Sequence, residues 1–311
     1  MLAFDPYVAL GGALTGLVVG MTGMGGGALM TPILVLLFGV NPLTAVSSDI
    51  VASMVMKPVG GAVHWQRGTV NMGMVKWLMV GSIPSAFLGV LALRNFDSGP
   101  AVQEIVKLAL GAALLLVAIG LVVKPLLTAN KDRKDELTPL AIKPLRTVFI
   151  GVLGGLVVGL TSVGSGSLMI ILLLMLYPRL KLSELVGTDL VQAVPLVTSA
   201  AIAHMIFGSF ELSLTFSILV GSIPGILLGA RLSSRAPDYV VRPSLVVVLL
   251  ISALKLLGAP GTILAIAAPL ALTGGVGYAL WAAKRTRAAE PRDSSAGARL
   301  GTPEGVPLLP P

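Results

Sequence analysis

Apolar residues fill long blocks of this chain, and polar residues are confined to the gaps between them. The pattern predicts helical segments at 6–23, 27–39, 43–65, 71–93, 101–123, 146–163, 165–177, 183–207, 212–232, 239–257 and 261–282. A helix needs about 20 mainly apolar residues to cross the hydrocarbon core of a bilayer. Lipid offers backbone groups no water to bond, so such segments form helices. Runs such as "KLALGAALLLVAIGLVV" (107–123) do not alternate as the strands of a transmembrane barrel would. The first segment has no basic residues before it and many spans after it, so it is read as a membrane helix and not a cleaved signal peptide. The second and seventh segments hold about 13 residues and reach roughly 20 Å, short of the roughly 30 Å core. Each follows a glycine turn, Gly25-Gly26-Gly27 or Gly164-Ser165-Gly166. Both are expected to be broken or re-entrant helices.

Composition narrows the class. Charged residues make up 12% of the chain and hydrophobic ones 55%, whereas a soluble domain carries roughly 25% charged residues. A soluble globular enzyme is thereby nearly excluded. The chain has no cysteine, which removes disulfides, thiolate catalysis and thiolate-held zinc or iron–sulfur centres. The net charge of +8 invites a nucleic-acid reading until the basic residues are located. With the N-terminus outside, seventeen of the 22 lysines and arginines fall in inside loops, at the inside ends of segments, or in the C-terminal tail. Arg94 alone falls in an outside loop, and Lys57, Lys76, Lys107 and Lys255 fall within segments. The positive-inside rule selects this orientation, with a cytoplasmic C-terminus. The charge is then a topology signal. The expected partners are the lipid bilayer and a small anion, not nucleic acid.

The chain repeats itself. "GLVVGMTGMGGGALM" at 16–30 returns as "GLVVGLTSVGSGSLM" at 155–169, with ten of fifteen positions identical. "VGSIPSAFLG" at 80–89 returns as "VGSIPGILLG" at 220–229. The same offset aligns His64 with His204, Asp49 with Asp189, and mid-helix Pro84 with Pro224. Five segments per half is an odd number, which inverts the second half relative to the first, as in many secondary transporters. The expected architecture is all-α: two inverted repeats of five segments, 1–123 and 146–257, plus one further transmembrane helix at 258–283. A charged linker, 124–145, joins the halves, and a polar, Pro-rich tail, 284–311, is expected to be disordered. In an inverted repeat the two glycine turns enter from opposite faces and can meet near the midplane. Helix N-termini there would aim N–H groups and partial positive charge at a small anion.

The motifs "GMGGGALMTP" (23–32), "SSDIVASMVMKPVGGAVHWQRGTVN" (47–71) and "GTDLVQAVPLVTSAAIAHMIFGSFE" (187–211) resemble those of the sulfite exporter TauE/SafE family. The resemblance covers roughly 8–257. It implies a multi-pass bacterial inner-membrane protein that moves small sulfur-containing anions such as sulfite or organosulfonates. Two departures stand out: Gly164-Ser165-Gly166 replaces three glycines, and Ser47-Ser48-Asp49 stands where Gly-Thr-Asp is closer to the family. The expected function is a secondary transporter, an exporter working by alternating access. A proton-coupled uptake carrier or a gated channel for another small anion stays open. No cofactor and no metal site are expected, and a homodimer is compatible with the sequence.

The candidate substrate-binding residues are those of the turns and their flanks: Thr22, Gly25, Gly26, Gly27, Ala28, Thr161, Gly164, Ser165, Gly166 and Ser167. Ser48, Thr188 and Gln192 are neutral donors suited to a sulfonate oxygen. Ionisable groups within a membrane are costly and are functional candidates for that reason. Asp49, Lys57, His64, Asp189 and His204 are therefore candidates for proton or charge coupling. Each has a plainer reading beside it: helix-to-helix bonding for the aspartates, snorkelling for Lys57 and a bond to a backbone carbonyl for the histidines.

Overall fold

A computed structural model describes residues 4–22, 26–66, 68–94, 99–128, 142–178, 180, 182–232 and 238–289. Among these residues there are eleven α-helices and no strand: α1 (Pro6–Thr22), α2 (Gly27–Leu36), α3 (Pro42–Gln66), α4 (Met72–Arg94), α5 (Pro100–Thr128), α6 (Pro144–Thr161), α7 (Leu168–Leu176), α8 (Leu182–Phe207), α9 (Leu212–Leu232), α10 (Asp238–Leu256) and α11 (Gly261–Ala289). Five stretches are long and apolar enough to cross a membrane: Met72–Leu93, Pro100–Val123, Pro144–Thr161, Glu184–Phe207 and Leu212–Gly229. The protein is a multi-pass membrane protein.

Each predicted segment corresponds to one helix, with shifted ends. Helix α5 runs to Thr128, into the stretch read as linker, and α11 runs to Ala289, into the stretch read as tail. Linker residues 129–141 and tail residues 290–311 lie outside the described residues. Helix α7 starts at Leu168, not at 165, because Gly164 and Gly166 hold left-handed φ of 122° and 98° and keep the chain in a turn. The short helices are shorter than predicted. Helix α2 has 10 residues and α7 has 9, about 15 and 14 Å at 1.5 Å per residue.

The packing exchanges helices between the halves. Helix α1 lies along α9, α4 along α6, α3 along α8 and α5 along α10. The first two contacts are built from glycine. On α1, Gly12 and Gly16 face Ile218 and Ser222 of α9. On α6, Gly151 and Gly155 face Leu78 and Ser82 of α4, the repeat-related positions. Gly221 of α9 lies on the Ala9 carbonyl, and Gly81 of α4 on the Val148 carbonyl. In lipid, helices gain no hydrophobic drive toward one another, so close backbone approach at small residues supplies the contact. Between α5 and α10 the contact is instead aliphatic, with Leu110, Leu114, Val117, Leu245 and Leu249 buried together. Pro84 and Pro224 lie inside α4 and α9. Beside Pro84, the Ser199 hydroxyl of α8 donates to the Ile83 carbonyl at 2.9 Å. Helix α11 packs on α10 and leaves Ile263, Ile266, Leu270 and Leu272 exposed, as lipid contact requires.

This packing sets an expectation for stability. Leucine at Gly81 or Gly221 would overlap a facing backbone carbonyl, and overpacking of this kind costs about 1–3 kcal/mol. A Cβ at Gly274 of α11 meets nothing within 4 Å. Thermal melting in detergent should show Gly81→Leu and Gly221→Leu well below the parent and Gly274→Leu level with it.

Candidate functional site

The two glycine turns meet. Gly27, the first residue of α2, lies directly on the Ser162 backbone, where a Cβ would overlap its carbonyl. Ser162 follows α6 with a left-handed φ of 61°. The Gly26 carbonyl accepts from the N–H groups of Leu29 (3.1 Å) and Met30 (2.9 Å), and the Gly164 carbonyl accepts from Met169 (3.1 Å). Neither α2 nor α7 has a side-chain cap on its N-terminus. The opening amides of a helix have no partner within it and carry its positive partial charge. Both N-termini are buried: Gly26, Gly27 and Ala28 on one side, and Gly164, Ser165, Gly166 and Ser167 on the other. Gly25 lies outside the described residues.

Three ionisable side chains surround this point. Asp49 of α3 is fully buried, and its Oδ2 accepts from Thr31 of α2 at 2.8 Å and from Ser162 at 2.7 Å. One carboxylate oxygen thus ties α3 to the first short helix and to the turn of the other half. Asp189 of α8 is also fully buried. Its Oδ1 accepts from Gln192 Nε2 at 3.1 Å, and Gln192 Oε1 accepts from Ser82 of α4 at 3.1 Å. The Gly166 amide faces the same carboxylate. Asp49 Oδ1 and Asp189 Oδ2 each have no hydrogen-bond partner. Lys57 of α3 extends its ammonium to Ser165 in the second turn, where it donates to the hydroxyl. Both carboxylates lie close enough to act on it through space. The fold thus gathers one ammonium, two carboxylates and two helix N-termini.

The other candidates are placed differently. Thr22 and Thr161 donate back to Val18 (2.7 Å) and Val157 (2.6 Å) of their own helices. Ser48 accepts from the Glu211 N–H and Thr188 from the Asn71 N–H, each at 3.0 Å. Those amides precede α9 and α4, so each hydroxyl ties its helix to the start of a helix in the other half. His204 is fully buried. Its Nε2 lies 2.8 Å from the Gly159 carbonyl, which can only accept, and its Nδ1 lies 2.8 Å from the Ser47 hydroxyl. Its ring joins α8, α6 and α3. His64 falls on α3, but its side chain lies outside those described. Among the described residues no group of three His, Cys, Asp or Glu is placed to hold a metal. Sequence reasoning missed Thr31, Ser162 and Ser82, the hydroxyls that bind Asp49 and Gln192. Thr31 stands inside the quoted glycine motif and Ser162 beside the second turn, which was the available signal.

The chain matches the family described as Sulfite exporter TauE/SafE over residues 8–256. It is 43% identical over 252 residues to the probable membrane transporter protein YjnA of Bacillus subtilis (strain 168), a match covering 80% of this chain and 98% of that protein. The probable membrane transporter protein YdhB of the same strain is 26% identical over 247 residues, covering 78% of this chain and 96% of that protein. No solved structure matches.

The Asp49 bridge can be tested without touching the carboxylate. Thr31→Val and Ser162→Ala each remove one donor from a buried oxygen, at about 1–3 kcal/mol apiece. The double variant leaves Oδ2 without either donor. It should melt lower than the two single losses summed, because the two hydroxyls share one acceptor. Additive losses in a melting series would mean that the bridge does not act as a unit.

Proposed function

The chain belongs to the sulfite exporter TauE/SafE family of membrane transporters, and from that premise we propose that it exports small sulfur-containing anions such as sulfite or organosulfonates across the bacterial inner membrane. The observation that carries this reading is the buried meeting of the two glycine turns, with Lys57 reaching from α3 to Ser165. The ammonium supplies countercharge, and the Ser165 hydroxyl and the opening amides of α7 supply directed donors. Helix N-termini are suited to anions because amides and dipole act together.

In this reading the halves are two inverted five-helix repeats followed by α11, with the N-terminus outside and the C-terminus in the cytoplasm. The exchange of α1 and α6 between halves is supporting geometry, since a rocking motion of one repeat would carry its turn past the other. The glycine-lined contacts of α1 with α9 and α4 with α6 present smooth surfaces for such motion. The chain carries no Walker motif, so the driving force is an ion gradient or the membrane potential. The potential moves a monoanion outward with about 2.3 kcal/mol per 100 mV, which suits an exporter.

The test is transport current from reconstituted vesicles on a solid-supported membrane, with sulfite, sulfoacetate, taurine and acetate offered with and without a pH gradient. A saturable current for a sulfur anion, with counterflow, is expected. Lys57→Gln should lower it at least tenfold, and Gly26→Leu or Ser165→Leu should abolish it in folded protein. Full current in both bulky variants would remove the turns from the site, and current without saturation or counterflow would make the protein a channel.

A further inference from the structure

The charged groups at the turns do not balance for a bare anion. The site holds one ammonium, Lys57, against two fully buried carboxylates, Asp49 and Asp189. The carboxylates differ in what they already hold. Asp49 Oδ2 takes two hydroxyl donors and serves as the staple between α3, α2 and the α6–α7 turn. Asp189 takes one side-chain donor, Gln192, which is itself held by Ser82. The repeat explains the difference. The position matching Thr31 is Ile170, which has no hydroxyl, and the position matching Lys57 is Val197. Each carboxylate keeps one buried oxygen without a partner, Asp49 Oδ1 and Asp189 Oδ2, but Asp189 is held by fewer side-chain donors and stands with Lys57 and the Gly166 amide of the second turn.

A buried acceptor of this kind is costly when left unpaired and rewards a ligand that brings a donor. We propose that Asp189 is a specificity-determining residue, and that the substrate is a short sulfonate with a single anionic group that carries its own O–H or N–H donor. The sulfonate oxygens lie on Lys57, Ser165 and the opening amides of α7, and the substrate's donor goes to Asp189 Oδ2. A sulfonate without a donor leaves that oxygen unpaired, and a divalent anion such as sulfate adds charge beside two carboxylates with nothing to offset it. This rests on the reading of the turns as the anion site and names the substrate class for it.

The test compares 2-hydroxyethanesulfonate with propane-1-sulfonate, which differ by a hydroxyl in place of a methyl at the same charge and nearly the same size. Sites that bond a substrate hydroxyl discriminate strongly against the analogue lacking it. The half-saturating concentration in the vesicle current assay should be at least tenfold higher for propane-1-sulfonate, and sulfate should give no current. Taurine, whose ammonium is a donor with charge, should compete with 2-hydroxyethanesulfonate. Asp189→Leu removes the acceptor, so the difference in half-saturation between the two monoanions should collapse to less than twofold, whatever the loss in overall current. If that variant does not fold, as judged by thermal melting, the comparison in the parent protein decides alone. Equal half-saturation for the two monoanions overturns the role of Asp189 and leaves the transporter reading intact. No transport of any sulfonate by folded protein overturns both.

Discussion

The Asp49 carboxylate, which accepts from Thr31 on one side and Ser162 on the other, is the contact on which the placement of both turns depends. A broken helix in lipid frees backbone groups that water cannot reach, so its turn must be enclosed by protein. Here each turn encloses the other: Gly27 rests on the Ser162 backbone, and a methyl group at that position would part them. Asp49 holds this contact from the side. A carboxylate suits the task because one oxygen can take several donors, and hydrogen bonds to a charged acceptor are stronger than neutral ones. His204 extends the same device one turn away by joining α8 to Ser47 of α3 and Gly159 of α6.

Most of the helical layout was legible because the signal is coarse. Length and apolarity alone separate a helix from a loop in a membrane. The misplaced ends have local causes. Helix α7 begins late because two glycines hold left-handed backbone after the point where apolar residues resume. Helix α5 outruns its apolar block because the Lys124-Pro125 step does not end it. Pairing of helices was less legible, since no linear pattern tells α1 to seek α9. The glycines did mark contact faces, but a small residue names neither its partner nor its depth.

At the site, the residues whose cost in lipid is high were the readable ones. Asp49, Lys57 and Asp189 stand out in any apolar stretch, and the repeat marked both turns. The hydroxyls were harder because a hydroxyl both donates and accepts. Ser48 and Thr188, read as donors to an anion, accept from the amides before α9 and α4, where helix starts need acceptors. Thr31, Ser162 and Ser82 are visible only once helix pairing has brought them to a carboxylate or an amide. Their roles are properties of the assembled fold and not of local sequence.

The scaffold and the site obey different symmetries. The glycine contacts recur at matched positions, Gly12 with Gly151, Gly16 with Gly155, and Gly81 with Gly221. So do the hydroxyl ties of Ser48 and Thr188. At the turns the match fails: Gly26 faces the repeat position of Ser165, Lys57 that of Val197, and Thr31 that of Ile170. Backbone approach constrains both halves alike, because each must seal one broken helix against lipid. A binding point on a two-fold axis would present every group twice, and a small anion with unlike ends has no use for a second copy. Retention of the glycine contacts follows from helix packing that needs both copies; under the proposed function, divergence at the turns follows from a ligand that needs one.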